Sequence, residues 1–475
     1  MSFIEGVDRG QQVMFPPVLD DYVSEHNPVR FVEAFVGNLD LVGLGFDRAE
    51  PKETGRPPHD PGDLLRLYIY GYLNRVRSSR RLEHETYRNV EVMWLLRGLR
   101  PDHKTISEFR RKNTQAIRKV FREFTLLCKK LGLFGKELVG IDGSKFRAVN
   151  SRERNYDRNK LRKMIRRIDQ RSEQYLESLD TQDTQEGSSE PVEVMRLSEK
   201  IEQLGAQREE YRLLLAELER TGARQISATD PDSRSMKVRS GTDVCYNAQT
   251  AVDDKHKLIV TQEVTNEPTD RMLLSSMAIA AKEELEVETL AVMADTGYSS
   301  AKQLEECEQA GIEPYVPRQI ASDKNGKFPK SQFRYDRERD HYQCPAEQTL
   351  TYHFERTEKG RNKRYYYRTG GCKGCALLEQ CTKGSYRRIT RVEGEEALER
   401  SDQRLRARPE MMRKRKATVE HPFGTLKRSM DQGYFLTRGL ESVRAEFSLS
   451  ALAYNIKRVM TILGATALIE AVSPA

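Results

Sequence analysis

Two aspartates stand beside short apolar runs that could place them at the edge of a sheet. Residues 138–141 precede Asp142, and residues 290–294 precede Asp295. Both runs are typical of buried strands, and functional groups of open α/β sheets gather at the carboxyl ends of strands. A single aspartate in such a place is usually a turn former. Two together favour oxygen ligands for a hard cation such as Mg²⁺.

A third acid, Glu420, lies in a strongly basic stretch of the chain. A charge run of this kind is usually a solvated helix face. In proteins that bind DNA, contacts to phosphates supply most of the affinity. Because this basic run surrounds a candidate catalytic acid, we favour DNA contact over a merely solvated face. The basic residues of the stretch are Arg404, Arg406, Arg408, Arg413, Lys414, Arg415, Lys416, Lys427 and Arg428.

The three acids lie in segments that resemble the catalytic blocks of DDE transposases from bacterial insertion sequences. The segments are IDGSK around Asp142, ADTGY around Asp295 and VEHPFGTLK around Glu420. The segment SGTDVCYNAQTAVDDKHKLIV and the N-terminal helical region also resemble one branch of this family, so the likeness covers most of the chain. Three blocks in order are a specific pattern, whereas any one alone is weak.

The resemblance implies a ribonuclease H-like core in which Asp142, Asp295 and Glu420 are catalytic and bind two Mg²⁺ or Mn²⁺ ions. It also implies cleavage at transposon ends, which frees a 3′-OH, and attack of that 3′-OH on target DNA. The implied partner is double-stranded DNA, as terminal inverted repeats and target, and work on two ends implies a homodimer.

The resemblance also assigns DNA contacts near Glu420. In the family a lysine seven residues after the glutamate contacts the transposon end, and Lys427 occupies that place. The family often has Tyr and Arg upstream of the glutamate. Here Arg413 and Lys416 stand at those positions, which is a departure, and both are expected to contact DNA.

The elements that must position these residues predict an α/β (α+β) fold with four parts. We predict a helical N-terminal domain over 1–135 and a catalytic core over 136–318 that 396–475 completes. A coiled-coil-like helical hairpin over 152–222 interrupts the core, and a cysteine-rich insert spans 319–395. Heptads on both sides of the polar stretch DTQDTQEGSSEP predict the hairpin. The hairpin could mediate dimerisation, contact DNA or be a solvated structural arm.

The N-terminal region offers a second surface for DNA. Its last helix is predicted to begin at a capping box from Thr105 to Glu108 and to continue through residue 124. Arg110, Arg111 and Lys112 lie on the basic side of this helix. The order of helices fits a helix-turn-helix-like unit, and it fits an ordinary small bundle with a solvated basic face equally well.

Four of the seven cysteines lie in the 319–395 insert and predict a structural zinc site. The spacing C-x2-C is typical of a metal knuckle, although C-x27-C-x2-C-x5-C is not a standard finger. Unpaired thiols are the alternative, and His341 and His353 could replace a thiolate. The insert also resembles that of the transposase branch. Its cysteines are Cys344, Cys372, Cys375 and Cys381.

Composition limits which partners and which cellular locations are compatible with the chain. The chain of 475 residues carries 80 basic and 72 acidic residues, and its net charge of +8 permits a polyanion partner. No apolar run is long enough for a transmembrane helix. Residues 1–12 lack the features of a signal peptide, which predicts a cytoplasmic, nucleoid-associated bacterial protein.

Two other functions compete with catalysis on DNA. A non-catalytic DNA-binding protein derived from a transposase, or a zinc-bearing regulator, would lack one of the three acids, and all three are present. A metal-dependent phosphatase with Asp142 as its nucleophile would require a D-x-D pattern, and Ser144 stands at the second position. Both alternatives are therefore disfavoured.

Overall fold

The computed structural model describes residues 18–50, 57–150, 152–184, 191–319, 326–358 and 362–472. It mixes helices and sheets, with a helical N-terminal region, as the predicted fold class requires. Residues 1–12, on which the expectation of a cytoplasmic location rested, lie outside the described residues. So does the centre of the polar stretch between the hairpin arms.

The N-terminal region consists of helices, several of which begin at a polar cap. Asp60 accepts a hydrogen bond from the backbone N–H of Gly62 at 2.7 Å, and Asp102 accepts one from that of Thr105 at 2.8 Å. Each cap satisfies an N–H that the first turn of a helix leaves free. The helices are α1 (Pro28–Gly37), α2 (Leu41–Leu44), α3 (Pro61–Leu73), α4 (Ser79–Arg88), α5 (Val90–Leu95), α6 (His103–Lys112) and α7 (Thr114–Lys130).

Helix α6 corrects the predicted capping box. The helix begins at His103, two residues before Thr105, because Asp102 is the cap. Glu108 does not reach back to the start of the helix; it pairs with Lys112 at 3.0 Å. The single predicted helix is in fact two, since Asn113 (φ −105°, ψ 30°) leaves the helical conformation between α6 and α7.

The central part of the chain builds a mixed sheet together with a helical hairpin. Its elements are β1 (Leu138–Arg147), β2 (Asn155–Tyr156), α8 (Arg158–Thr184), α9 (Pro191–Thr221), β3 (Ile226–Ser227), β4 (Arg234–Val238), β5 (Gly241–Asp253), β6 (Ile259–Thr265), α10 (Leu274–Leu285), β7 (Leu290–Met293), α11 (Ala301–Gln309) and β8 (Ile312–Tyr315). The strands predicted within 241–318 are all present.

The strand order of the main sheet is β6-β5-β1-β7-β8, with β4 paired to the first residues of β5. Strand β5 runs antiparallel to both β1 and β6, whereas β7 is parallel to β1 and β8 is parallel to β7. The sequence predicts that strand β1 ends at Asp142, whereas the strand continues to Arg147. It can do so because β5 pairs with it as far as Arg147, well beyond the end of β7.

Helices α8 and α9 form the predicted antiparallel pair. Arg162 pairs with Glu219 at 3.1 Å, and Asp169 pairs with Arg208 at 2.5 Å, so the arms run in opposite directions. The second pair explains why Arg208 interrupts the apolar heptads. Buried Leu161, Ile168, Tyr211 and Leu218 lie in the small core between the arms, which is separate from the main core.

The cysteine-rich insert is an antiparallel sheet, which its polar sequence did not predict. Its elements are β9 (Arg334–Asp336), β10 (His341–Gln343), β11 (Thr349–Glu358), β12 (Asn362–Arg368), α12 (Leu378–Cys381) and β13 (Arg388–Val392). The five strands pair in sequence order. Phe333, Tyr342, Leu350, Tyr367 and Ile389 are buried on one face, which is the small core of the insert.

The C-terminal helices connect the N-terminal region to the main sheet. They are α13 (Glu395–Ala407), α14 (Met411–Gly424), which continues as a π-helical turn to Ser429, α15 (Leu440–Leu463) and α16 (Ala465–Val472). Helix α15 is mostly buried, as predicted for an element that closes the core, and residues from the N-terminal helices to α16 belong to one hydrophobic cluster. The buried pair Arg77–Glu446 (3.5 Å) joins the two regions. Among the described helices, none is long and apolar enough to cross a membrane.

Candidate active site

The sheet places Asp142 and Asp295 side by side. Strands β1 and β7 are parallel, and their last pair is Gly140 with Met293. Asp142 and Asp295 each follow two residues after that pair, on strands that lie about 4.8 Å apart. Asp142 continues β1, whereas Asp295 leaves β7 and caps a short turn by accepting a hydrogen bond from the N–H of Gly297 at 2.7 Å.

Arg415 bridges the two aspartates. One guanidinium nitrogen, Nη2, lies 3.1 Å from Oδ1 of Asp142 and 3.5 Å from Oδ2 of Asp295. The Arg415 side chain is 17% exposed, that of Asp142 21% and that of Asp295 44%, so the contact is partly shielded from water. The pKa of Asp142 is raised to about 6, chiefly by burial; Arg415 opposes this rise and the negative charge of Asp295 adds to it. A buried carboxylate in this position requires a cation beside it.

Glu420 lies on the helix that supplies Arg415. Helix α14 packs closely on β1 because residue 140 is a glycine; a Cβ there would lie 2.6 Å from Cγ1 of Val419. Glu420 follows Val419 on this helix and is exposed. No described contact joins it to Asp142 or Asp295.

A fourth acid, Asp270, also lies in this site, and it belongs to none of the three motifs that the sequence offered. Its Oδ1 accepts hydrogen bonds from Asn247 at 2.7 Å, Gln249 at 2.8 Å and Lys145 at 3.2 Å. Its charge acts to raise the pKa of Asp142. The available signal was the presence of buried polar residues, Asn247 and Gln249, within a strand that is otherwise apolar, because such groups require partners.

Tyr298 is a buried hydrogen-bond donor next to this site. Its hydroxyl donates to Oε1 of Gln249, and the ring is fully buried. Burial raises the pKa of Tyr298, and the negative charges of Asp270, Asp142 and Asp295 raise it further, so the group remains a neutral donor. The chain Tyr298–Gln249–Asp270 thus ties the turn after Asp295 to strand β5.

Among the described residues, no group of three or more His, Cys, Asp or Glu side chains is arranged to hold a metal ion. Asp142 and Asp295 nevertheless fit a hard cation as a pair. They present adjacent carboxylate oxygens, and a single positive group already bridges them. The third ligand expected from the sequence, Glu420, is not part of this arrangement.

Two segments of the chain match known families. Residues 343–460 match a family described as "Transposase DDE domain", and residues 17–112 match one described as "Transposase domain (DUF772)". The resemblance to DDE-type transposases is therefore confirmed. DDE transposases act in DNA transposition, are polynucleotidyl transferases in general and generally use divalent metal ions. Glu420 and Lys427 lie within the first segment, whereas Asp142 and Asp295 lie outside both.

Other comparisons add little to these matches. No curated protein matches the chain. A solved cryo-EM structure, that of a piggyBac transposase synaptic complex with hairpin DNA, is similar to it at 10% sequence identity with a TM-score of 0.34. The similarity covers 92% of this chain and 75% of that chain.

The basic residues predicted to contact DNA have different environments. Arg110 corrects the prediction: it is buried over the ring of Tyr68, at 5.4 Å, so it cannot face a groove. Arg111 and Lys112 are exposed, although Lys112 pairs with Glu108. On helix α14, Arg413 and Lys416 are exposed.

Lys427 is held by strand β1. Its Nζ donates to Oγ of Ser144 at 2.6 Å and to the backbone carbonyl of Lys145 at 2.7 Å, and it lies 4.5 Å from the centre of the Phe146 ring. Burial lowers the pKa of Lys427 to about 8. The lysine thus lies close to Asp142 along β1, with its charge only partly solvated.

The structure brings the four cysteines of the insert together. They line one small pocket together with Phe328 and Leu350, and all four are free thiols, but their positions do not form a group arranged to hold a metal ion. His341 and His353 do not line it. Cys128, Cys245 and Cys307 are buried elsewhere, as expected of core cysteines.

Proposed function

We propose that this protein is a DNA transposase that cleaves transposon ends and joins them to target DNA by two-metal phosphoryl transfer. The observation that carries the proposal is the pair of aspartates at matched positions on parallel strands, bridged by Arg415 from the helix of Glu420. Adjacent, partly buried carboxylates with a raised pKa at a sheet edge are typical of functional sites.

The strand order supports a ribonuclease H-like core. If the strands β1, β5, β6, β7 and β8 are numbered 1 to 5 along the chain, their order in the main sheet is 3-2-1-4-5. The second of them is antiparallel to both of its neighbours, and the fourth and fifth are parallel to the first. In this order Asp142 lies on the first strand, Asp295 follows the fourth strand and Glu420 lies on a later helix, which supports the proposed core.

In this function Asp142 and Asp295 would hold the divalent ions, Mg²⁺ or Mn²⁺, with Glu420 as the third ligand. The ions would supply charge stabilisation to the attacking and leaving oxygens of the displacement. The chain itself orients these carboxylates: Gly297 fixes Asp295 through the turn, and α14 carries Glu420 along β1. Asp270 keeps Asn247, Gln249 and Lys145 in place around them.

The partners we propose are transposon terminal repeats and target DNA, handled by a homodimer because two ends must be processed together. Arg413 and Lys416, exposed beside Glu420, and Arg111 and Lys112 on α6 are the proposed DNA contacts. Such DNA lies in the bacterial cytoplasm, so we propose that location as well. The function is tested by incubating the full chain with a duplex bearing the terminal repeats of its own element. Nicks that require Mg²⁺ and disappear with a chelator support it, and intact DNA contradicts it.

Lys427 gives a pH-dependent prediction about DNA binding. We propose that it contacts a phosphate near the scissile bond, which requires its protonated form. Since burial lowers the pKa of Lys427 to about 8, this contact is present below that pH and is lost as pH rises through it. Between pH 7 and pH 9 the wild-type chain should lose affinity for all duplexes alike, and the salt slope of log K should fall by about one.

The control for this prediction is Lys427→Arg, which remains charged over the whole range. Its affinity should be nearly constant between pH 7 and pH 9, whereas Lys427→Met should start at the low value. Fluorescence anisotropy on a transposon-end duplex and on random DNA measures both. Equal pH dependence in the wild type and Lys427→Met would show that another group titrates.

We also propose a structural zinc ion in the insert, because Cys344, Cys372, Cys375 and Cys381 line one pocket as reduced thiols. Four thiolates form a closed structural site. Elemental analysis of the purified chain should give about one zinc per chain, and Cys372→Ser with Cys375→Ser should release it and lower the melting temperature. The matched control, Cys307→Ser, alters a buried cysteine outside the pocket and should leave the zinc content unchanged. Fully active wild-type protein without zinc would contradict the proposal.

A further inference from the structure

The insert sheet has one face whose described side chains are half-buried or exposed. Its inner face is closed by the small core and by Arg391, which pairs with Glu396 at 2.7 Å and Glu399 at 2.6 Å on α13. Side chains alternate across a strand, so the residues between the inner ones point outward. Those residues carry arginines and aromatic rings: Phe354, Arg356, Tyr366, Arg368 and Arg388, called here the arginine face.

Aromatic rings hold the arginines of this face in place. Phe354 and Tyr366 stack with centroids 4.4 Å apart and planes at 13°, and the guanidinium of Arg388 lies over both, at 5.9 and 5.5 Å. Arg368 is paired directly with Arg388 across the strands and lies 5.6 Å from the ring of Tyr386. A stacked guanidinium keeps its N–H donors free at its edge.

The arginine face carries the positive charges of three arginine side chains. Arg356, Arg368 and Arg388 are exposed, and none forms an ion pair with a described carboxylate. Asp336, on the edge strand β9 beside His341, shares this face of the sheet, and the strand register places Glu358, at the end of β11, on it as well. Like charges held this close favour a polyanion, because each arginine can release a counterion from it.

We infer that the arginine face binds the phosphate backbone of double-stranded DNA. This inference rests on the proposed transposase function and adds a contact outside the catalytic core. From the level of Arg356 to that of Arg368 the face extends about 14 Å, four residues of a strand, which spans about four phosphates of one DNA strand. We commit to duplex rather than single strand, because Phe354 and Tyr366 cover one face of each other and Arg388 lies over both, which leaves less ring surface for bases to stack on.

The test measures DNA binding without cleavage. The full chain is titrated with a mixed-sequence duplex of about 30 base pairs, in a chelator, over a salt series. Each lost phosphate contact lowers the slope of log K against log salt by about 0.9. Arg368→Ala with Arg388→Ala should therefore lower the slope by about two and weaken binding about 60-fold at 0.1 M salt relative to 1 M. Arg356→Ala, an exposed position, should lower the slope by about one.

Control variants separate this contact from general charge loss and from catalysis. Arg339→Ala removes an exposed arginine from the turn between β9 and β10 and should bind like the wild type. Arg368→Lys with Arg388→Lys should recover most of the slope. Cleavage does not enter the measurement, because the titration is run in a chelator. A wild-type chain that binds no duplex overturns the proposed function. A double alanine variant that binds duplex like the wild type, or loses only single-strand binding, overturns the inference about this face.

Discussion

Asp142→Asn and Asp295→Asn are each expected to reduce strand cleavage by at least about 10³-fold, with fold and DNA binding retained. Each change keeps the size of the side chain and removes the charge that would hold a divalent ion and stabilise the displacement. The aspartates lie at matched positions on parallel strands, so losing either one breaks the same site. A nicking assay on a transposon-end duplex measures the loss, and thermal melting checks the fold.

The same assay distinguishes Glu420 from Asp270 as the third catalytic carboxylate. Glu420 is exposed on α14, whereas Asp270 already acts on Asp142 from inside the site. If Glu420 is the third ligand, Glu420→Gln abolishes cleavage and leaves the melting temperature unchanged. Asp270→Asn should instead lower stability, because it disturbs the contacts of Asn247, Gln249 and Lys145. A chain with Glu420→Gln that nicks DNA at the wild-type rate would remove Glu420 from the catalytic set.

The sequence predicted the strands and acids that local pattern determines. Apolar runs before Asp142 and Asp295 identified β1 and β7, and the hairpin heptads identified α8 and α9. It did not predict that both acids follow the same parallel pair, since strand pairing joins residues about 150 positions apart. Nor did it identify Asp270, whose partners lie on two other strands.

Faces of helices were harder to predict where packing occurs on more than one side. Arg110 looked like part of a basic face, yet α6 packs against α3 so that Tyr68 and Tyr72 enclose its guanidinium. The insert sheet was missed for a related reason. A charged residue, Arg391, points inward to pair with α13, which obscures the alternation expected of a strand.

Removing Arg415 is the second change expected to have a large effect. In the metal-free chain its guanidinium compensates both Asp142 and Asp295. Arg415→Met should lower the free energy of unfolding by about 1–2 kcal/mol, between the values typical of exposed and of buried pairs, because the groups are partly exposed. The pKa of Asp142 is already raised, so its ionisation costs stability as pH rises through about 6, and losing Arg415 increases that cost above this pH.

The same change should strengthen metal binding. A divalent ion must share or displace the contacts of Arg415 to reach both aspartates, so removing this competing cation should tighten Mn²⁺ binding by roughly tenfold, equivalent to about 1.4 kcal/mol. Electron paramagnetic resonance of free Mn²⁺ measures the affinity directly. Added Mn²⁺ should also raise the melting temperature of Arg415→Met more than that of the wild type, because tighter binding stabilises the folded state more.

Arg413→Met is the matched control for Arg415→Met. Arg413 lies two residues earlier on α14, is exposed and forms no ion pair with a described carboxylate, so its loss should change neither the melting temperature nor the affinity for Mn²⁺. Equal Mn²⁺ affinity in Arg415→Met and the wild type would mean that the arginine does not compete with the ion. Weaker affinity would mean that it helps to shape the site. In that case the contacts of Arg415 hold Asp142 and Asp295 in position for the ion, and Arg415 stays beside them when the ion is bound.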